Sequence, residues 1–474
     1  MNLGKKTKIV CTIGPVIDNH DHLTQLVNAG MNVMRLNFSH GTFAEHQIRV
    51  DEIRMIMKKT GKNIAIMQDL SGPKIRIGDF KNGPITLHEG ATFTLTTAVA
   101  EKTEGTQDRV FINLPELPSE VKVGTKILLD DGTKTLKVLE VKGDDIITKV
   151  MIGGQLSGHK GVNVPGAHLS VDSLTEKDRA DLEFGIKNKV DFVALSFVRK
   201  ASDIAMLRDI LIARGLDAQI IAKIETPEGL KNFDAILDAA DGIMVARGDL
   251  AIEIPAEAVP LAQKRMIRKC NLVGKPVITA TQMLESMTKN PEPTRAETSD
   301  IANAIIDGTD AIMLSEETTY GLYPVLAVKT MTRIAKRVEK EVYNHDIIDE
   351  YVESKEVIDI MSQTAIRTAH SIKAPLIVVL TRDGKTARAI SRYRPVERIL
   401  VLTDSHANAA HLMLSFDCYP ILIPTTKDQH EVMNIVRSTV IANGVAKKGD
   451  KVVIMADIPT DKASEVNSII EETI

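Results

Sequence analysis

Short apolar runs that alternate with segments of helical periodicity constrain this chain more than any other feature. Residues 8–13, 32–36 and 63–68 are built largely of Val, Ile, Met and Ala without polar alternation. That pattern suits strands buried on both faces, as in a parallel sheet. Five more such runs follow at 192–197, 220–224, 242–246, 277–280 and 311–314. Between them lie segments with apolar residues at helical spacing, including 22–28, 44–58, 176–187 and 256–272. Eight strands alternating with helices is the number that closes a TIM barrel, and an open doubly wound sheet is the alternative.

The rhythm breaks at Ser71-Gly72-Pro73. From 72 to 167 the segments are short and alternate apolar with polar residues. Turn signals such as Asn82-Gly83-Pro84, Asp130-Asp131-Gly132 and Gly143-Asp144-Asp145 separate them, as in a small antiparallel β domain inserted in a loop. After a helical stretch at 324–343, the polar segment 344–355 reads as a linker. A third unit then offers a helix at 356–371 and strands at 376–380, 399–402, 421–423 and 451–455. The expected organisation is an α/β chain with a (β/α)8 barrel at 1–71 and 168–343. A β-barrel lid fills 72–167, and a C-terminal α/β domain with a candidate regulatory role fills 344–474. A length of 474 residues agrees with roughly three domains of about 150 residues.

A net charge of −4 argues against general binding to nucleic acid or a membrane surface, so an anionic substrate must be met by local Lys, Arg or metal. Cys11, Cys270 and Cys418 are odd in number and far apart, which speaks against disulfides or a zinc cluster. The first residues lack the long apolar core of a signal peptide, and no run reaches the roughly 18 apolar residues of a membrane span. A cytoplasmic protein is expected.

In a barrel, chemistry gathers at the C-terminal ends of the strands. Those ends carry Arg35, Asn37 and Ser39-His40 on the second strand, Asp69 on the third and Lys223 with Glu225 on the fifth. The sixth brings Arg247-Gly248-Asp249, the seventh Thr281 and the eighth Ser315. Glu225 and Asp249 end adjacent strands, so their carboxylates can share one hard cation such as Mg2+ or Mn2+, with substrate oxygens and water completing the shell. Lys223 lies two residues before Glu225 and points to the same side, placed to stabilise a transferring phosphoryl group. A plain Lys223–Glu225 salt bridge at a strand end is the alternative. Gly248 lets the main chain approach a ligand, and its amide with that of Asp249 can receive a small carboxylate, unless it is only a turn glycine. His40 and His46 are placed to face nucleotide phosphates, although a histidine there is more often a surface residue.

These residues sit in motifs. The runs KTKIVCTIGP at 6–15, MNVMRLNFSHG at 31–41, IAKIE at 221–225, MVARGDL at 244–250, ITATQML at 278–284 and NPEPTRAE at 290–297 closely resemble pyruvate kinase signatures. The resemblance is strong from residue 5 to 330 and looser beyond. It implies transfer of the phosphoryl group of phosphoenolpyruvate to ADP, giving pyruvate and ATP. It makes Glu225 and Asp249 the magnesium ligands, Lys223 the stabiliser of the transferring group and Arg35 a phosphate contact. The Gly248 and Asp249 amides with Thr281 would hold the substrate carboxylate, and Thr281 with Ser315 and water would form the proton relay to the enolate. Arg76 and Lys160 at the lid hinges, with His40 and Asn37, would meet ADP or ATP. The family resemblance also implies a homotetramer.

Two departures from the family pattern stand out. Lys74 occupies a position where many relatives have Glu beside a required K+, whose ligands correspond to Asn37, Ser39, Asp69 and the Leu70 carbonyl. A lysine ammonium supplies the same single charge, so K+ is expected not to be strictly required. In the C-terminal unit the loop with Thr381, Gly384, Lys385 and Thr386 resembles a phosphate-effector loop, but Asp383 adds negative charge and the partner stretch 458–465 has no glycine. A sugar phosphate or nucleotide monophosphate effector, or none, is the expectation. Rival readings are a metal-dependent barrel lyase, which would need no nucleotide lid, and a non-catalytic metabolite binder, which would not retain Lys223, Glu225, Asp249 and Thr281 together.

Overall fold

A computed structural model describes residues 4–17, 20–167, 171–342, 356–425, 429–456 and 468–474. Eight parallel strands close into a barrel: β1 Lys8–Thr12, β2 Val33–Asn37, β3 Ala65–Asp69, β4 Phe192–Leu195, β5 Gln219–Ile224, β6 Gly242–Ala246, β7 Val277–Ala280 and β8 Ala311–Leu314. Their order around the barrel follows the chain, with β8 pairing back onto β1 through Lys8–Ala311 to Cys11–Leu314. The absence of polar alternation has a direct cause. Val10, Val33, Met67, Phe192, Ile221, Met244, Ile278 and Met313 pack together inside the barrel, while Ile9, Leu36, Ile66, Leu195, Ile220, Val245 and Leu314 pack outward against the helices. Both faces of every strand are therefore apolar.

The helices start where the sequence supplies caps. Thr42 with Glu45 opens Phe43–Thr60, Thr175 with Asp178 opens Glu176–Asn188, and Thr294 with Glu297 opens Arg295–Ile306, each as a reciprocal capping box. None of the described helices is long and apolar enough to cross a membrane.

The insertion forms a six-stranded sheet in the order Val162–Asn163, Lys126–Leu129, Lys134–Lys142, Asp145–Ile152, Thr92–Thr96 and Arg109–Phe111, beside a two-stranded ribbon of Ile85–Leu87 with Gly154–Leu156. The pairings between these strands are antiparallel except that of Thr92–Thr96 with Arg109–Phe111, which run parallel. It has its own core around Phe93, Leu95, Ile127, Leu136 and Ile146.

The C-terminal unit is a five-stranded sheet in the order β11-β10-β9-β12-β13, with β9 Leu376–Leu380, β10 Arg398–Thr403, β11 Cys418–Leu422, β12 Lys451–Ala456 and β13 Ser468–Thr473. β13 runs antiparallel to β12 and is an edge strand that sequence reading did not anticipate. The expected linker 344–355 and the stretch 458–465 lie outside the described residues.

This unit packs beneath the barrel, at the N-terminal ends of the strands. Met413 and Leu414 join the apolar interior that fills the barrel. Arg394 pairs with Asp310 at 2.9 Å, and Lys6 Nζ donates to the Pro395 and Val396 carbonyls, both at 2.7 Å. The fully buried Lys8 ammonium donates to the Cys418 carbonyl at 2.5 Å and lies 4.3 Å from the centre of the Tyr419 ring. Burial pushes Lys8 down from the ordinary lysine value of 10.5 to about 8, with Cys418 and Asp417 acting in the opposite direction. The folded chain thus releases this proton near pH 8 while the unfolded chain keeps it to about 10.5. Stability relative to a Lys8→Met variant should rise across that window, by about 3 kcal/mol, and stay level below it. Thermal unfolding of both proteins across the window checks this; a constant difference contradicts it.

Candidate active site

Asp69 anchors the mouth of the barrel. It ends β3 and is buried, and its Oδ2 accepts from Arg35 Nε at 2.6 Å while its Oδ1 lies 3.2 Å from Lys223 Nζ. Burial opposes its ionisation, but Arg35 and Lys223 outweigh burial and hold the carboxyl below its ordinary value. Arg35, in the middle of β2, also donates from Nη1 to Thr12 Oγ1 at 2.7 Å. Lys223 in β5 donates to Ser196 Oγ at 2.6 Å and lies 3.1 Å from Glu225 Oε1. Burial alone would push Lys223 down; Asp69 and Glu225 reverse that, so its pKa is raised and it stays an ammonium. The Lys223–Glu225 ion pair is therefore real, but it belongs to a network of buried charges rather than to an isolated strand-end bridge.

Glu225 is fixed by its other oxygen, which accepts the Phe197 amide at 2.7 Å. Its Oε1 accepts no hydrogen bond among the described residues. Burial pushes the Glu225 carboxyl up, Lys223 pulls it back, and neighbouring Asp249 pushes it up again. Two carboxylates that repel each other at low dielectric, one with a buried oxygen whose partner is the Lys223 ammonium alone, fit a hard divalent cation. No cluster of three His, Cys, Asp or Glu able to hold a metal occurs among the described residues, so substrate and water oxygens would complete the shell.

Asp249 lies in the first turn of the helix Arg247–Glu253, directly after β6. The Gly248 amide donates to Thr281 Oγ1 at 2.8 Å, which places the expected carboxylate-binding group and its expected partner side by side. Thr281 and Gln282 both have left-handed backbones, with φ of 69° and 54°. For a β-branched residue that conformation is strained and persists only where the surroundings enforce it. Arg247 enforces it here: its guanidinium donates to the Ala280 carbonyl at 3.1 Å and the Thr281 carbonyl at 2.5 Å, and is anchored on Asp300 at 2.7 Å. Phe197, which presents its amide to Glu225, is a third strained position, with φ of 54°. Ser315 follows β8, and its amide donates to Glu317 Oε2 at 2.7 Å; Glu317 also accepts the Leu284 amide at 2.9 Å, so one buried carboxylate joins the loops after β7 and β8.

The hinge candidates are also brought together. Arg76 bridges Gly161, the neighbour of Lys160, and Lys160 Nζ is held 2.8 Å from Asp130 Oδ1. His40 is pushed down by burial and then by Arg76, Lys74, Arg35 and Lys177, which marks a concentration of positive charge near the hinge. His46 departs from its reading: it is buried and stacked on Phe38 at 4.4 Å, a core histidine that does not face phosphates.

Asn37 and Asp69 are register partners on β2 and β3, Ser39 donates its amide to Asn37 Oδ1 at 3.1 Å, and the Leu70 carbonyl accepts Ser196 Oγ at 2.7 Å. The side chain of Lys74 runs beside Gly161, where a Cβ would lie 3.6 Å from its Cε. In the C-terminal loop, Gly384 has φ of 77° and donates to Thr381 Oγ1 at 3.0 Å, while Asp383 Oδ1 already accepts the Lys385 amide at 3.0 Å.

Sequence reading missed Thr12 and Ser196. They stand at and just after the ends of β1 and β4.

A closed barrel with a β lid over a mouth of buried Lys, Arg and paired carboxylates belongs to the class of barrel phosphotransferases. A family model described as the pyruvate kinase barrel domain matches residues 4–328, and one described as the pyruvate kinase alpha/beta domain matches 359–470. The chain is 47% identical over 468 residues to a pyruvate kinase of Geobacillus stearothermophilus, covering 98% of this chain and 79% of that protein. It is 42% identical over 468 residues to a pyruvate kinase of Clostridium acetobutylicum, covering 98% of each. Its fold matches the crystal structure of a pyruvate kinase from Cryptosporidium parvum with a TM-score of 0.93 at 36% identity, covering 99% of this chain and 96% of that one. The chain belongs to the pyruvate kinase family. It is a phosphotransferase of glycolysis that converts phosphoenolpyruvate and ADP to pyruvate and ATP, which sets the lyase reading aside.

Proposed function

We propose that phosphoryl transfer at this mouth turns on Lys223, with Arg35, Gly248, Asp249 and Thr281 holding phosphoenolpyruvate against it. The observation that carries the reading is the buried ammonium of Lys223, 3.2 Å from Asp69 and 3.1 Å from Glu225. A fixed, desolvated positive charge acts strongly on a transferring phosphoryl group because no water must reorganise around it. Arg35, aimed by Asp69 and Thr12, takes the substrate phosphate. The Gly248 and Asp249 amides take the substrate carboxylate, with the Thr281 hydroxyl as third donor, once the Gly248–Thr281 and Thr281–Ala280 hydrogen bonds open. Glu225 and Asp249 would hold Mg2+ or Mn2+, and that ion when bound supplies positive charge against the phosphate and enolate oxygens. Once the phosphoryl group has left, Thr281 and Ser315, on the loops after β7 and β8, relay a proton to the enolate carbon through water. Arg76 and Lys160, with His40 and Asn37, meet the ADP phosphates, and the lid shuts out water that would otherwise accept the phosphoryl group.

Lys74 supports a second part of the proposal. Its ammonium stands in for a monovalent cation near Asn37, Ser39, Asp69 and the Leu70 carbonyl once the lid closes, so K+ is dispensable. Cytoplasmic work as a homotetramer completes the reading. A phosphate effector at Thr381, Gly384, Lys385 and Thr386 would first have to displace Asp383 from the Lys385 amide, which favours weak effector control or none.

A coupled assay of ATP formed from phosphoenolpyruvate and ADP tests the first part. Lys223→Met should cut turnover by about 10³-fold or more with the fold intact by circular dichroism, and full turnover would overturn the assignment. The same assay in Na+, K+ and tetramethylammonium buffers tests the second: the parent should be active in all three and Lys74→Glu should become K+-dependent. A large K+ requirement in the parent sinks the idea.

A further inference from the structure

The lid joins the barrel through two connections, and one buried carboxylate bonds to both. The chain leaves β3 for the lid at Ser71-Gly72-Pro73 and is back in the barrel at Thr175, where the helix Glu176–Asn188 begins. Asp178, in the first turn of that helix, is fully buried. Its Oδ1 accepts the Gly72 amide at 3.1 Å. Its Oδ2 accepts the Thr175 amide at 3.0 Å and the Thr175 hydroxyl at 2.6 Å.

Capping the helix requires only the second of these sets. In the helix Phe43–Thr60, Glu45 caps through Oε2 alone, accepting from the Thr42 amide and hydroxyl, and it stands exposed. A carboxylate taken wholly out of water is tolerated only where its oxygens find partners. For Asp178 the extra partner is the Gly72 amide, which belongs to the other lid connection and not to the helix.

Gly72 is also where the lid connection meets the site. Its φ of 66° is left-handed, a conformation that glycine adopts without strain. A Cβ there would lie 2.9 Å from Ser196 Cβ and 3.0 Å from a ring carbon of Phe197, so bare main chain rests directly on these two residues. Ser196 Oγ donates to the Leu70 carbonyl at 2.7 Å and accepts from Lys223 Nζ at 2.6 Å. The Phe197 amide donates to Glu225 Oε2 at 2.7 Å. Only Ser196 and Phe197 stand between Gly72 and the two buried charges of the mouth.

We propose that Asp178 is a positioning residue that clasps the two lid connections into one pivot and seats that pivot on Ser196 and Phe197. The lid then swings to a fixed place over Lys223 and Glu225. This inference rests on the reading of the mouth and lid given above. Arg76 lies just beyond Gly72 and pairs through its backbone with Gly161, so a pivot free to shift carries Arg76 and Lys160 with it. Asp178 itself touches neither substrate nor reacting atoms.

The test combines hydrogen exchange of segments 72–77 and 160–164 in the full chain with the KM values for ADP and phosphoenolpyruvate. In Asp178→Ala both segments should exchange about 10-fold faster or more. KM for ADP should rise about 5-fold or more, while KM for phosphoenolpyruvate, held by groups of the barrel, stays within about 2-fold of the parent's. Thr175→Ala removes the capping hydroxyl and keeps the Asp178–Gly72 bond. It should lower Tm and leave hinge exchange and both KM values at those of the parent. Should Asp178→Ala fail to fold by circular dichroism, Asp178→Asn, which keeps the shape but cannot accept from both sides, provides the same comparison with smaller shifts. Hinge exchange unchanged in the Asp178 variant, or accelerated equally in Thr175→Ala, overturns the proposal. Faster hinge exchange with an unchanged KM for ADP upholds the clasp and counts instead against Arg76 and Lys160 as ADP contacts.

Discussion

The carboxylate of Asp69 makes the rest of the mouth possible. Arg35 and Lys223 approach it from two different strands, and both are buried. Without a shared anion, two cations at that depth would repel each other at low dielectric and lose their hydration as well. With it, both stay charged and fixed in direction, and Lys223 remains an ammonium despite its burial. Glu225 extends the alternation of charge outward from Lys223. The site is a chain of charges, Arg35–Asp69–Lys223–Glu225, each held by the next and pinned at its sides by the small hydroxyls of Thr12 and Ser196.

The barrel separates this chemistry from stability by using opposite ends of the same strands. At the C-terminal ends, strain collects at Phe197, Thr281 and Gln282, where it aims amides and hydroxyls toward the mouth. At the N-terminal ends, Lys8, Asp310, Met413 and Leu414 join the barrel to the C-terminal domain through burial and ion pairing. Changes on the lower face should therefore act on catalysis through the docking of that domain.

How much of this the sequence disclosed follows from physics. The eight barrel strands were legible because both of their faces are apolar. β13 was missed: Ser468–Thr473 reads SIIEET, without the continuous apolar run of a buried strand, because it lies at the sheet edge. β11 begins at Cys418 rather than at 421, with Pro420 tolerated on an edge strand. In the site, charged residues at strand ends revealed themselves, whereas Thr12 and Ser196 carry no charge and gave no such signal. The left-handed Thr281 and its Arg247 clamp were not readable at all. They depend on Asp300, in the helix Arg295–Ile306, meeting Arg247 after the barrel has closed. His46 was misplaced because a histidine beside a strand end looks the same in sequence whether it faces solvent or stacks on Phe38.

The most direct test of the account is the turnover of Asp69→Asn, which keeps the shape of the side chain and removes its charge. With Asp69 neutral, Arg35 and Lys223 face each other unshielded and lose their fixed directions. Turnover should fall by about 10²-fold or more in a protein that still shows native circular dichroism. Turnover equal to the parent's would contradict the claim that this one carboxylate organises the mouth.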